Sequence, residues 1–276
     1  MSVSSSIPES PHLHPHLIPG LPIQTFGACI AVGILLCWTL AERLSGRKDI
    51  GSLVFALVIA GVIGARVAHV VEYWHADGFD RNFLAAFQIW TGGLVFYGGL
   101  IAGVLTFLAW SLRKKEDVLA LADLLVVVLP LGHAFGRLGC FFFGCCWGKV
   151  SDSCLAVSFP AHSPAWYSQV SAGRLSNLAS RSLPVIPTQL FESAALFALF
   201  GLLYFLYRRY KAWTAATYLV GYGVLRFLIE FLRDDDRPVW GGLSSAQNFS
   251  FVLIAAGIAF FIWTTKRHGQ RTPDHR

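Results

Sequence analysis

Long apolar stretches alternate with short polar breaks along this chain. Seven stretches, at residues 23–40, 51–73, 92–112, 118–140, 188–207, 214–232 and 248–265, each approach the roughly 20 residues that a helix needs to cross a bilayer core. The pattern predicts an all-α integral membrane protein with seven transmembrane helices. Ahead of the first stretch, residues 1–22 carry serines, prolines and His12, His14 and His16 but no lysine or arginine, so they read as a flexible tail and not as the basic start of a signal peptide. The longest polar interval, about residues 148–187, contains Pro160, Pro164, Pro184 and Pro187 and is expected to cap one end of the bundle. The stretches show no internal repeat and leave no room for a soluble domain.

Composition agrees: 55% of residues are hydrophobic and 14% charged, outside the balance of a soluble domain. The net charge of +6 is not a nucleic-acid signal, because the basic residues sit in short clusters between apolar runs and form no stripe interleaved with aromatics. Those clusters set a topology. Under strict alternation thirteen basic residues, from Arg43, Arg47 and Lys48 to Arg271 and Arg276, fall on one side, and six, among them Arg81, Lys149 and Arg174, on the other. The N-terminus is therefore expected outside and the C-terminus, with a basic tail at 266–276, in the cytoplasm. Trp74, Trp90, Trp147, Trp166 and Trp240 then fall near the outer ends of spans, as an aromatic belt would.

Three arginines are left inside the apolar stretches: Arg66, Arg137 and Arg226. A charge at that depth costs at least ~2.5 kcal/mol on the insertion scale, so each needs a partner or an aqueous cavity. Three on three stretches point to a shared anionic site; snorkelling toward the surface is the structural alternative. Acidic residues offer a second alternative. Glu72, Asp123, Glu192 and Glu230 lie in or beside the same stretches, and Arg226 and Glu230 stand four apart on one helix face. No lysine lies in any stretch, and planar guanidinium suits bidentate contact with a phosphodiester. Glycines at 61, 64, 92, 93, 98, 99, 132, 136, 139 and 144 surround these arginines. They permit either close helix approach or a break that cradles an anion.

The densest segment is LPLGHAFGRLGCFFFGCCWGK, residues 129–149, which puts His133, Arg137, Cys140, Cys145 and Cys146 into an apolar setting. The other cysteines are Cys29, Cys37 and Cys154. No C-x-x-C pair and no second ligand cluster appears, so neither a zinc site nor a cofactor is expected. A carrier thiol at Cys145 or Cys146, free thiols, and a bridge such as one to Cys154 all stay open.

GRLGCFFFGCCWG (136–148) resembles the signature segment of the bacterial prolipoprotein diacylglyceryl transferases, G-R-x-G-N-F-x-N-x-E-x-x-G. Other blocks are similar in the same order: GARVAHVVEYW from Gly64, WTGGLVFYGGLIAG from Trp90, PTQLFESAALF from Pro187 and GYGVLRFLIEFLRDDD from Gly221. The resemblance implies a multi-pass enzyme of the bacterial inner membrane that moves a diacylglyceryl group from phosphatidylglycerol to the thiol of a prolipoprotein, releasing glycerol phosphate. It implies Arg137 and Arg226 as catalytic arginines, with Arg66, Gly98, Gly99, Gly136, Gly139, Tyr222, Glu230 and Arg233 holding substrate.

The departures fall on polar positions. The histidine of the family's F-H-G-G is Tyr97 here, and the Asn, Asn and Glu of the signature are Cys140, Phe143 and Cys145; a first-span tyrosine position is Phe26. Tyrosine is a poor base at neutral pH but a good donor, so Tyr97 is expected to act in catalysis as a hydrogen-bond donor and His133, four residues before Arg137 and seven before Cys140, as base. His69, beside Arg66, is a further candidate. The phosphate half of the site is kept and the acceptor half rewritten. Either the acceptor is the prolipoprotein cysteine, or a divergent paralogue serves another acceptor, or the protein binds phospholipid without turnover.

Overall fold

The computed structural model describes residues 25–75, 79, 82–88, 93–210, 213–234 and 239–269. Its helices are α1 Thr25–Ser45, α2 Asp49–Glu72, α3 Phe96–Lys114, α4 Val118–Phe143, α5 Pro164–Ser171, α6 Thr188–Tyr210, α7 Thr214–Glu230 and α8 Ser245–Gly269. A 3-10 turn, Phe83–Phe87, lies before α3, and a two-stranded hairpin, β1 Val239–Trp240 with β2 Leu243–Ser244, precedes α8. Among the described residues each predicted apolar stretch holds one long helix. Six helices, α1 to α4, α6 and α8, are long and apolar enough to cross a membrane, so this is a multi-pass membrane protein. The sixth predicted span is α7, whose 17 residues cover only about 26 Å at 1.5 Å per residue. The tail expected at 1–22 lies outside the described residues, and the stretch expected as a basic tail from residue 266 begins as the last turn of α8.

Local chemistry sets the helix ends. Gly46, with φ +69°, stops α1, and its N–H closes on the Glu42 carbonyl at 2.8 Å. Asp117 caps α4 by accepting from the N–H groups of Leu119 and Ala120. Ser244 and Gln247 form a reciprocal capping box at the start of α8: the Ser244 hydroxyl accepts from the Gln247 N–H, and the Gln247 side chain accepts from the Ser244 N–H. The hairpin before it turns through Gly241 and Gly242, both at positive φ, as a two-residue turn matched to strand twist requires.

The interval after α4 folds into a small unit of its own. Val150 and Val157 both bridge to Val185, and Pro160 to Arg181. Phe141, Trp147, Phe159, Ala165 and Val185 form its apolar core. Ser163 caps α5 with Pro164 in its first turn, and the Trp166 indole donates to the Ala179 carbonyl at 2.8 Å. Trp147 and Trp166, expected in an interfacial belt, are both buried, Trp147 in this core. Trp90 and the side chain of Trp240 lie outside the described residues.

Candidate active site

The chain divides into two compact units, Cys37–Leu125 and Met1–Leu36 with Val126–Arg276. Of the site residues expected from sequence, Arg66, Tyr97, Gly98 and Gly99 lie in the first. His133, Gly136, Arg137, Gly139, Cys140, Cys145, Cys146, Tyr222, Arg226, Glu230 and Arg233 lie in the second.

In the second unit α4, α6 and α7 bring charge together inside apolar helices. Arg137 meets Glu192 of α6, Nε to Oε2, at 3.1 Å, and Glu192 is fully buried. His133, one turn earlier on α4, has its Nε2 4.0 Å from the other oxygen of Glu192. On α7, Arg226 and Glu230 form the expected i, i+4 pair at 2.6 Å, with both side chains almost fully buried. Tyr222, one turn before Arg226, packs edge-on against the His133 ring at 5.3 Å and is stacked by Tyr218. Arg137 reaches the Tyr222 hydroxyl, and the fields of Arg137 and Arg226 both act on His133. Arg233, also buried, adds a third guanidinium whose field reaches Arg137. Among the described residues no aligned donor satisfies either buried oxygen of Glu192, so the Arg137 charge is what compensates this carboxylate.

Glu192 was the residue the sequence reading passed over as a site member. Its signal was PTQLFE, whose earlier residues also take part. Gln189 donates to the Cys145 carbonyl at 2.7 Å and Thr188 to the Cys146 carbonyl at 2.8 Å. These bonds hold a hook at the end of α4. The helix stops at Gly144, with φ +77°, and Cys146 is also left-handed at φ +62°, an uncommon state for a residue with a side chain. The chain turns back on itself, and the thiols of Cys140, Cys145 and Cys146 converge to within 4.8 Å of one another. All six cysteines are free, and Cys154, the suggested bridge partner, is exposed. The Cys140 and Cys145 thiols, then the Arg233 and Arg137 guanidiniums, hold the Cys146 thiol below the ordinary thiol range. Gly148 lets the chain after the hook pass close to α6 and α7. A Cβ there would lie 2.6 Å from the Leu232 carbonyl and 2.7 Å from that of Ile186. Gly139 packs against Phe26, and Gly136 faces Ile30 with room to spare.

The first unit uses its arginine differently. Arg66 is buried and donates to three backbone carbonyls: Nε to Ala86 at 2.8 Å, Nη2 to Ala85 at 2.7 Å and Nη1 to Gly93 at 3.1 Å. It also lies over the Phe79 ring. Glu72, its nearest acid in sequence, makes none of these contacts. Gly98 and Gly99 face Gly64 and Gly61 across the α2–α3 contact, where a Cβ would clash with backbone; close helix approach accounts for them. Tyr97 is 52% exposed. A groove of about 360 Å³ lined by Ala216, Thr217, Val220, Gly221, Ile258 and Phe261 holds no ionisable side chain, so the chemistry is not there.

Fold and site together describe a helical membrane protein with a cluster of guanidiniums and carboxylates inside its helices and three partly exposed thiols beside it. Residues 15–263 match the family model of prolipoprotein diacylglyceryl transferase. The chain is 34% identical over 250 residues to phosphatidylglycerol–prolipoprotein diacylglyceryl transferase 2 of Clostridium perfringens, covering 88% of this chain and 91% of that protein. It is 31% identical over 275 residues to the phosphatidylglycerol–prolipoprotein diacylglyceryl transferase of Vibrio cholerae, covering 94% of each. The corresponding protein of Bordetella bronchiseptica is 31% identical over 261 residues, 89% of this chain and 92% of that one. The chain belongs to the prolipoprotein diacylglyceryl transferase family and is a transferase.

Proposed function

We propose that the protein transfers a diacylglyceryl group from phosphatidylglycerol to an acceptor thiol, the lipobox cysteine of a prolipoprotein. The observation that carries this reading is the grouping, in an apolar helical setting, of Arg137 on Glu192, His133 beside the same carboxylate, Tyr222 against the His133 ring and the Arg226–Glu230 pair one turn on from Tyr222. The acceptor sulfur attacks the terminal glycerol carbon of the diacylglyceryl group; the S–C bond forms as the C–O bond to phosphate breaks, and the electron pair leaves on the phosphate oxygen. Guanidiniums fixed in place before the reaction stabilise that developing charge. His133 takes the thiol proton, oriented by Glu192 and by the edge of Tyr222. Glycerol phosphate departs as the second product. Membrane phospholipid is thus the donor.

Arg66 supports the reaction by shaping the loop before α3, as its three carbonyl contacts suggest. α7 serves as a seventh span in this reading, with the N-terminus outside and the C-terminus in the cytoplasm of a bacterial inner membrane. The thiols at Cys140, Cys145 and Cys146 favour a second reading, in which the acceptor half serves a different acceptor. Complementation of a strain depleted of its own transferase, combined with transfer of radiolabelled phosphatidylglycerol lipid, tests both. Rescue supports the prolipoprotein acceptor. Lipid turnover without rescue supports the second reading, and neither result leaves phospholipid binding alone.

A further inference from the structure

The thiol hook has a property that lipid transfer does not use. Its three sulfurs come from the last turn of α4 and the two residues after Gly144, and they lie within 4.8 Å of one another. A metal with M–S bonds of about 2.3 Å sets three sulfurs in trigonal array roughly 4.0 Å apart, so closure needs only small side-chain rotations. The hook is also braced. The Cys145 and Cys146 carbonyls are held by Gln189 and Thr188, and the Cys145 thiol points back to the Cys140 carbonyl at 3.8 Å.

We infer that Cys140, Cys145 and Cys146 form a trigonal thiolate site for a soft metal ion, and that the ion it selects is Cu(I). Structural zinc sites take four protein ligands, and among the described residues no histidine, carboxylate or further cysteine joins this cluster. Three sulfurs without a fourth donor suit the softest of the available ions. Charge agrees. Three thiolates around a monovalent ion carry two negative charges, and the fields of Arg233 and Arg137 both act on Cys146. Binding releases to water whatever protons the thiols still carry and moves no electron, so the site needs no oxidant or reductant. This inference does not depend on the lipid chemistry: a protein with no transferase activity would still bind the ion.

The test uses the full chain, purified in detergent under anaerobic, reducing conditions and then freed of reductant. Cu(I) is supplied as its acetonitrile complex against a chromogenic Cu(I) chelator, with Zn(II) titrated in parallel. One Cu(I) per chain is expected, with a tenfold or greater loss of affinity in Cys145→Ser and Cys146→Ser and no change in the exposed-thiol control Cys154→Ser. X-ray absorption of the loaded protein should show sulfur-only coordination by three atoms. A second measurement needs no variant: in the wild-type protein Cu(I) should shield Cys140, Cys145 and Cys146 from maleimide, as mapped by mass spectrometry, and leave Cys154 reactive. Equal Cu(I) binding by the serine variants, binding of Zn(II) but not Cu(I), no shielding, or a disulfide within the trio after anaerobic purification would each overturn the assignment.

Discussion

Arg66 and Arg137 are guanidiniums held inside apolar helices, and they meet opposite kinds of partner. Among the described residues Arg66 donates to the carbonyls of Ala85, Ala86 and Gly93 and so ties down a loop. Arg137 meets the carboxylate of Glu192 through Nε and shares its surroundings with Tyr222, Arg233 and the thiol hook. Carbonyl acceptors satisfy the donors of a guanidinium without balancing its charge, whereas a carboxylate balances the charge. The kind of acceptor, and not depth within the helices, distinguishes the two.

The largest test of that contrast is Arg137→Ala. Transfer is expected to fall at least ~100-fold, as for loss of an electrostatic donor, while the protein still inserts. Full turnover by this variant, measured with labelled phosphatidylglycerol, would erase the distinction. Glu192→Gln should come next, because it strands a buried guanidinium: a stability loss of about 3 kcal/mol is expected, with turnover reduced alongside. An unchanged melting temperature would mean that the pair does not compensate charge. His133→Gln should slow transfer about tenfold or more and alter the pH profile of kcat/KM, as removal of a base does; an unaltered profile would remove His133 from that role.

Arg66→Gln sharpens the other side of the comparison. Carbonyls left without a donor cost about 1–3 kcal/mol each when buried, so faster amide exchange at residues 85–88 is expected, with kcat within a few-fold of wild type. Loss of turnover with no loosening of that segment would move Arg66 into the reaction. The smallest effect is expected outside the spans, at Glu116. The Arg47 guanidinium donates to it at 2.6 Å and holds its carboxyl below the ordinary carboxylate range. A depressed folded-state value means that the pair stabilises above the unfolded carboxylate pKa of about 4.3 and that this contribution is lost on acidification. The difference in melting temperature between wild type and Glu116→Gln should therefore be small at neutral pH and close as the pH falls; a gap that widens instead would contradict the pair.

The long helices were legible because length and hydropathy are properties of single segments. The Arg226–Glu230 pair was legible for a related reason, since four residues on one helix is a fixed geometry. Glu192 was harder, because its partner stands 55 residues earlier on another helix, and only the PTQLFE block marked it. The apolar core of the loop was missed for the same reason: its Trp147, Phe159 and Val185 are far apart in sequence and follow no period. The hook was hidden by backbone. A spacing of Cys140, Cys145 and Cys146 has no metal signature until Gly144 and Cys146 turn left-handed and fold the thiols together.

The hook is anchored by side chains that come much later in the chain, and this bears on how the protein is made. Cys145 leaves the ribosome 44 residues before Gln189, and Cys146 leaves 42 residues before Thr188. Until α6 has entered the bilayer, two thiols stand on a segment with nothing yet holding its carbonyls. Each new molecule therefore passes through an interval in which these sulfurs are open to whatever the compartment offers, and insertion of α6 ends that interval.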